Sequence, residues 1–305
     1  MPAYTPFGDT VFQKAIWLME ARGLLVTAKG LRRTIAYATD LQGTGSIIVP
    51  LLGNLQANDK VKGEVVTFQE NPNTFATVTP NIHKDVSYIV DKMDKVQSSV
   101  DLRLGNINAI IAAVELAKDQ DIIAALEAMS FPAGHTVTVP TIDLADSDDA
   151  AGTKVERGLR RAKAILSAKG VSPLNRWVLG HSFAVDTWMG ADKVVSRDYN
   201  AGEAPLVTGA IGTRHGANIV EHGELALTWD GGSPGETTSS VFFYNSDILA
   251  MGEWEVFDLN SSYREEWTGW PVVADTIYGV ETARDTCAVE VALTWEGNPF
   301  GLPAP

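Results

Sequence analysis

Asn175–Gly190, NRWVLGHSFAVDTWMG, is the stretch that decides between two fold classes. A β-branched and aromatic run, RWVLG, leads into Gly180-His181-Ser182-Phe183-Ala184, and a helix-like segment follows. That is almost the strand–serine–helix turn, G-x-S-x-G, on which α/β-hydrolases expose a nucleophile. The second glycine is missing, and Ala184 adds a side chain where helix and strand must nearly touch. Asp192 or Asp198 followed by His215 or His222 keeps the acid-then-histidine order of such enzymes, but not their spacing, which includes further β–α units. No strand-to-helix repeat precedes the turn, and no HGGG-like oxyanion segment is present. Ser182 therefore reads as a serine in a structural turn. A serine hydrolase of GxSxA type is kept only as a distant alternative.

Outward from this turn, TKVERGLRRAKAILSAKGVS upstream predicts an amphipathic helix from Thr153 to Gly170, after an acidic loop DLADSDDAAG. Farther upstream, residues 100–129 place Leu104, Ile107, Ile111, Val114, Ile122, Ala125 and Met129 on helical spacing. Asn108, Glu115, Lys118, Asp119 and Glu127 fall largely on the opposite side. Between Lys60 and Val90 the period is two. KVKGEVVTFQ and ATVTPNIHKDVSYIV read as the arms of a long hairpin turning at Asn71-Pro72-Asn73. Lys60, Lys62, Pro72, Pro80 and Lys84 are residues that discourage edge pairing, so this hairpin reads as an arm that lies on a neighbour. A short helix at residues 10–24 and a basic segment Lys29–Arg33 precede it. Downstream, Ser196–Gly235 is glycine-rich and irregular around ANIVEHG, and SSVFFYNSDILAMG and TIYGVETARDTCAVEVALTW are strand-like.

The chain has 305 residues, 45% apolar and 20% charged, with a net charge of −14, which argues against a surface built to grip nucleic acid. Nothing approaches the ~18 apolar residues of a membrane span, and the start lacks a secretory pattern, which places folding in the cytoplasm. The single cysteine, Cys287, excludes an internal disulfide and reads as a buried hydrophobe. The five histidines are scattered, and His215 and His222 do not form a helix-face ligand pair, so no metal site is expected. Gly209, Gly212 and Gly216 follow no βαβ unit and lack a phosphate-loop lysine, which makes them turn glycines. The tryptophans, four of them in the C-terminal quarter, read as packing residues. The residues offer no catalytic set and no cofactor site.

The layout resembles the major capsid protein of tailed bacteriophages, of the Hong Kong 97 type. SYIVDKMDKVQSSVDLRLGNINAIIAAVELAKDQDIIAAL, with Asp91, Asp94, Lys95 and Gln97, is similar to that family's strand, linker and spine helix. AKAILSAKGVSPLNRWVLGHSFAVDTWMGADKVVSRD resembles its helix, strand and short helix. TGAIGTRHGANIVEHGEL resembles a recurrent glycine-rich segment, with His222 near the usual serine, and YGVETARDTCAVEV resembles a closing peripheral strand.

The resemblance implies an α+β capsid fold. An N-terminal arm would span 1–43, an extended E-loop 44–82, a peripheral domain with the spine helix 83–137 and 268–305, and an axial domain 138–267. It implies a self-assembling shell of hexamers and pentamers around double-stranded DNA, bound without sequence specificity. Lys60, Lys62, Phe68, Phe75, Arg32 and Arg33 are the expected intersubunit contacts. Separate scaffolding, portal and decoration proteins are possible partners, and no membrane is. Assembly would take place in the host bacterial cytoplasm, with the protein ending in the virion. Some relatives cross-link an E-loop lysine to a neighbour's asparagine. Lys60 and Lys62 are the matching lysines, but no Asn–Glu pair accompanies them, so cross-linking is not expected. The nearest alternative with the same fold is an encapsulin-type nanocompartment shell, and a farther one is a tail or decoration protein.

Overall fold

Strand pairing sorts the chain into three sheets. The computed structural model describes residues 30–38, 41–51, 57–60, 62–63, 65–66, 68, 70, 74–91, 102–195, 212–232, 235–261 and 264–301. The helix expected at 10–24, the turn at 71–73 and Asp94, Lys95 and Gln97 lie outside them. Along the chain come strands β1 (Ala36–Ala38), β2 (Ile47–Leu51), β3 (Thr74–Val78) and β4 (Ile82–Asp91), then helix α1 (Leu102–Glu127). They are followed by β5 (Thr136–Thr138), α2 (Asp148–Ala168), β6 (Arg176–Gly180), α3 (Ser182–Met189) and α4 (Asp192–Val195). The remainder is β7 (Thr213–Arg214), β8 (Ala217–Glu221), β9 (Leu227–Trp229), β10 (Glu236–Asn245), β11 (Leu249–Ser261), β12 (Gly269–Thr282) and β13 (Ala288–Glu296).

A four-stranded sheet runs β1-β11-β12-β4, and helix α1 packs along β4 and β12. At 26 residues and ~1.5 Å per residue, α1 is a rod about 39 Å long. A larger, seven-stranded sheet runs β5-β13-β10-β6-β8-β7, with β9 also on β10. Its central strand β10 carries the run VFFY, which serves two cores. Val241 and Phe243 pack with Val155, Leu159, Leu166 and Trp188 beneath α2 and α3. Phe242 and Tyr244 pack on the other face with Ile122, Ile123 and Leu126 from the end of α1. A strand covered on both faces needs apolar residues at every position, so the alternation vanishes there. The third sheet is the ribbon β2-β3 alone.

Three expectations need correction. The long hairpin is not built from KVKGEVVTFQ and ATVTPNIHKDVSYIV. Val49 pairs with Ala76 in the β2-β3 ribbon, whereas Ile82–Asp91 pairs antiparallel with β12. The alternation runs in phase through Pro80, so Val78 and Val86 share parity although they belong to different sheets. The described residues of 60–69 form no strand, and Gly63 turns there at φ 97°. Helix α2 begins five residues earlier than Thr153. Ser147 caps it by accepting the Ala150 N–H at 3.3 Å, and Asp148 and Asp149 occupy the first turn, where the dipole favours them. On α1, Lys118 and Asp119 are not on the solvent side, being 1% exposed each, while Ile111 is 40% exposed and Ile110 takes the buried position. Cys287 is buried as expected, but in a 3-10 turn just before β13.

Candidate functional site

The ribbon β2-β3 leaves the body over a gap made by two glycines. Gly252 of β11 and Gly279 of β12 stand opposite one another in register. A Cβ on Gly279 would collide with the Thr79 carbonyl, and one on Gly252 with the Ile47 side chain. Glycines there let the ribbon's backbone cross close to the sheet. Trp254 fixes the crossing: its indole N–H donates to the Thr44 carbonyl at 2.7 Å, and its ring packs with Val78 and Ala250 against Ile47 and Val49. The inward parity of the ribbon is thus satisfied by its own chain.

The outward parity is not. Ile48 is 63% exposed, Phe75 69%, and farther out Val65 and Phe68 are both 91% exposed. Lys60 and Lys62 are exposed on the same excursion. Four of the six expected contact residues are thus exposed, Lys60, Lys62 and Phe68 between β2 and β3 and Phe75 on β3 itself.

Arg32 and Arg33 stand elsewhere, in a 3-10 turn Leu31–Thr34 seated on the middle of α1. Arg33 is exposed, whereas the Arg32 guanidinium reaches Glu115 at 3.4 Å and Glu253 at 3.8 Å in its own chain. The Asp119 carboxylate accepts the backbone N–H of Gly30 at 3.0 Å and of Leu31 at 2.8 Å. Beside it, the Lys118 ammonium meets Glu253 of β11 at 2.6 Å, both side chains fully buried. The buried Tyr244 hydroxyl donates to Thr34, and burial pushes that phenol up. These bonds tie the root of the N-terminal segment, α1 and the four-stranded sheet together. The sequence carried no sign of this cluster, since a Lys-Asp pair inside an amphipathic helix reads as solvent-facing by period alone.

Ser182 opens α3, and among the described residues no histidine or carboxylate bonds to it. His181 caps α3 by accepting the Phe183 N–H at Nδ1, 3.1 Å. His222 is held by Asp119 at 3.5 Å and by the Glu224 N–H, and His215 by Glu156 at 2.9 Å. Burial pushes the Glu156 carboxyl up, but His215 and a 2.6 Å bond from the Trp188 indole outweigh it and hold it below the usual range. Asp192 lies in α4, and Asp198 lies outside the described residues. These three histidines are occupied in structure, and among the described residues no nucleophile–base pair is assembled. Among the described residues no three His, Cys, Asp or Glu side chains gather as a metal cluster. Gly212 and Gly216 do turn the chain, at φ 70° and 77°. Trp188, Trp254 and Trp295 are buried, as packing residues should be.

No curated protein sequence matches the chain. The fold is that of phage capsids. The capsid of Ralstonia phage GP4 matches with TM-score 0.69 at 14% identity, over 99% of this chain and 100% of that one. The capsid of cyanophage P-SCSP1u matches with TM-score 0.66 at 15% identity, over 85% and 86%. The mature capsid of bacteriophage PhiM1 matches with TM-score 0.65 at 14% identity, over 99% and 93%. Residues 24–292 match the phage capsid protein family. The chain therefore belongs to that family, a major capsid shell protein of the Hong Kong 97-type α+β fold and a structural subunit rather than an enzyme.

Proposed function

We propose that this subunit forms hexamers and pentamers that close into an icosahedral head around double-stranded DNA, and that its β2-β3 ribbon is the E-loop laid on the adjacent copy. The observation that carries this reading is the ribbon's bare outer face, where Ile48 is 63% and Phe75 69% exposed, together with Val65 and Phe68, both 91% exposed in the segment that joins its two strands. Isolated apolar residues on a surface are ordinary, but a projecting two-stranded ribbon with such a row is not stable alone in water. Lys60, Lys62, Phe68 and Phe75 are its contact residues, and Arg32 and Arg33 lie where the N-terminal arm leaves the body. The arm is residues 1–43 and the E-loop 44–82. The peripheral domain with the spine helix is 83–137 and 268–305 and the axial domain 138–267, and the pairing of β4 with β12, with α1 packed along both, supports the first of these. The net charge of −14 suits a wall that encloses DNA without gripping it. Scaffolding, portal and decoration proteins would be separate chains, and assembly would take place in the host bacterium's cytoplasm.

Negative-stain microscopy of the expressed protein tests this, alone and with a scaffolding protein. Hollow closed particles are expected, and lost when Phe68 and Phe75 are both changed to Asp. A persistent monomer under every condition, with the ribbon protected from protease, refutes the reading.

A further inference from the structure

Two charged surfaces beside α2 are left unmatched by the described residues. In a chain of net charge −14, α2 exposes Arg157, Arg160, Arg161 and Lys163, none of them ion-paired to a described residue. At ~100° per residue the three arginines share an arc of about 100°. Like charges three and four residues apart repel one another and weaken an isolated helix. Such a row is stabilised when something negative covers it.

A negative surface of the right kind stands at the other end of the same helix. A cavity of about 540 Å³ is lined by Asp143, Asp146, Asp148, Asp186 and Glu296, with Trp295 and Phe300 among its apolar walls. Lys154 offsets part of this charge by reaching Asp146 at 2.5 Å and Asp143 at 3.6 Å. Asp148 and Asp186 have no cation among the described residues. Trp295, one of the lining residues, is 3% exposed, and its indole N–H has no acceptor among the described residues. Asp148 precedes Arg157 by nine residues, about 180° around the helix axis at ~100° each. The two surfaces therefore look in different directions, and one subunit cannot join them.

We propose that the arginine face of α2 in one copy seats in the acidic pocket of the next, head to tail. This rests on the shell reading above and specifies one contact within its capsomers. A contact between two different patches of identical subunits closes into a ring when the rotation allows, which is what a hexamer or pentamer needs. Guanidinium groups suit the pocket because they pair with carboxylates through two parallel hydrogen bonds and stack on aromatic rings such as Phe300.

Charge reversal in two separate variants tests the pairing. One carries Arg160→Glu with Arg161→Glu, the other Asp148→Lys with Asp186→Lys. All four positions are exposed, and only Asp148→Lys also loses a favourable place in the first turn of α2, so melting curves should stay within about 2 °C of wild type. Each variant alone is expected to give no rings by native mass spectrometry. Mixed one to one, they are expected to alternate, because the reversed helix of one meets the reversed pocket of the other and the remaining contact is wild type. Alternation closes only even-membered rings, so hexamers of three and three return and pentamers do not. Should a reversed helix fail to melt cooperatively, Arg160→Gln with Arg161→Gln replaces it, expected to raise the assembly threshold about tenfold. Variants that assemble like wild type, or a mixture that stays monomeric, overturn the pairing while leaving the shell reading intact. A wild-type chain that never forms particles overturns both.

Discussion

Replacing Lys118 by Met removes one end of a buried ion pair, and the structure sets the size of the effect. Lys118 and Glu253 meet at 2.6 Å with side chains 1% and 0% exposed, so the carboxylate left behind cannot be rehydrated. Removing one partner of such a pair typically costs about 3–5 kcal/mol. Arg32, at 3.8 Å and partly solvated, remains as a weaker cation for Glu253, which places the expected loss near the low end, about 3 kcal/mol. At roughly 2 °C per kcal/mol for a chain of this size, unassembled subunits should melt on the order of 6 °C lower. Combining Lys118→Met with Glu253→Leu removes both buried charges. Arg32 and Glu115, 3.4 Å apart, then still neutralise each other, and stability should return to within about 1 kcal/mol of wild type. Urea unfolding of the wild type, both single variants and the double variant closes the cycle. A single variant within ~0.5 kcal/mol of wild type, or a double variant as unstable as the sum of the singles, would refute the claim that these charges depend on each other.

Gly279→Ala should displace the root of the ribbon, because its Cβ would overlap the Thr79 backbone. A loss of about 1–3 kcal/mol and few closed particles are expected, while Gly45→Ala, which meets nothing within 4 Å, should assemble normally. Burial pushes the His181 imidazole down, outweighing its hydrogen bond with Gly223, so the folded protein holds it neutral with Nδ1 free to cap α3. The unfolded chain then binds the proton first. The contribution of His181 is therefore present above about pH 6.5 and lost as pH falls through the lowered folded value. Melting temperatures of His181→Asn, which keeps a capping oxygen but cannot titrate, should fall less between pH 6.5 and 5.5, and identical slopes would refute this. Burial also pushes the Cys287 thiol up, so an aromatic disulfide reagent should label it only after unfolding, and rapid labelling of native subunits would contradict the described packing.

The alternation and helical spacing of this sequence determined most elements by themselves. Arg176–Gly180 lies where its run of β-branched and aromatic residues puts it, and Leu102–Glu127 where helical spacing does, because a partly buried helix writes its period into its own residues. The missing elbow glycine and the absent oxyanion segment removed Ser182 from catalysis without coordinates. Pairing was decided only by the tertiary structure. Parity is preserved across Pro80, so the sequence could not show that Val78 belongs to a ribbon and Val86 to a sheet. Burial of Lys118 and Asp119 was equally hidden, since a charge is tolerated inside only by partners from distant parts of the chain, here Glu253 and the backbone at Gly30 and Leu31. Local periodicity records which face of an element avoids water, whereas long-range contacts choose which surface covers that face.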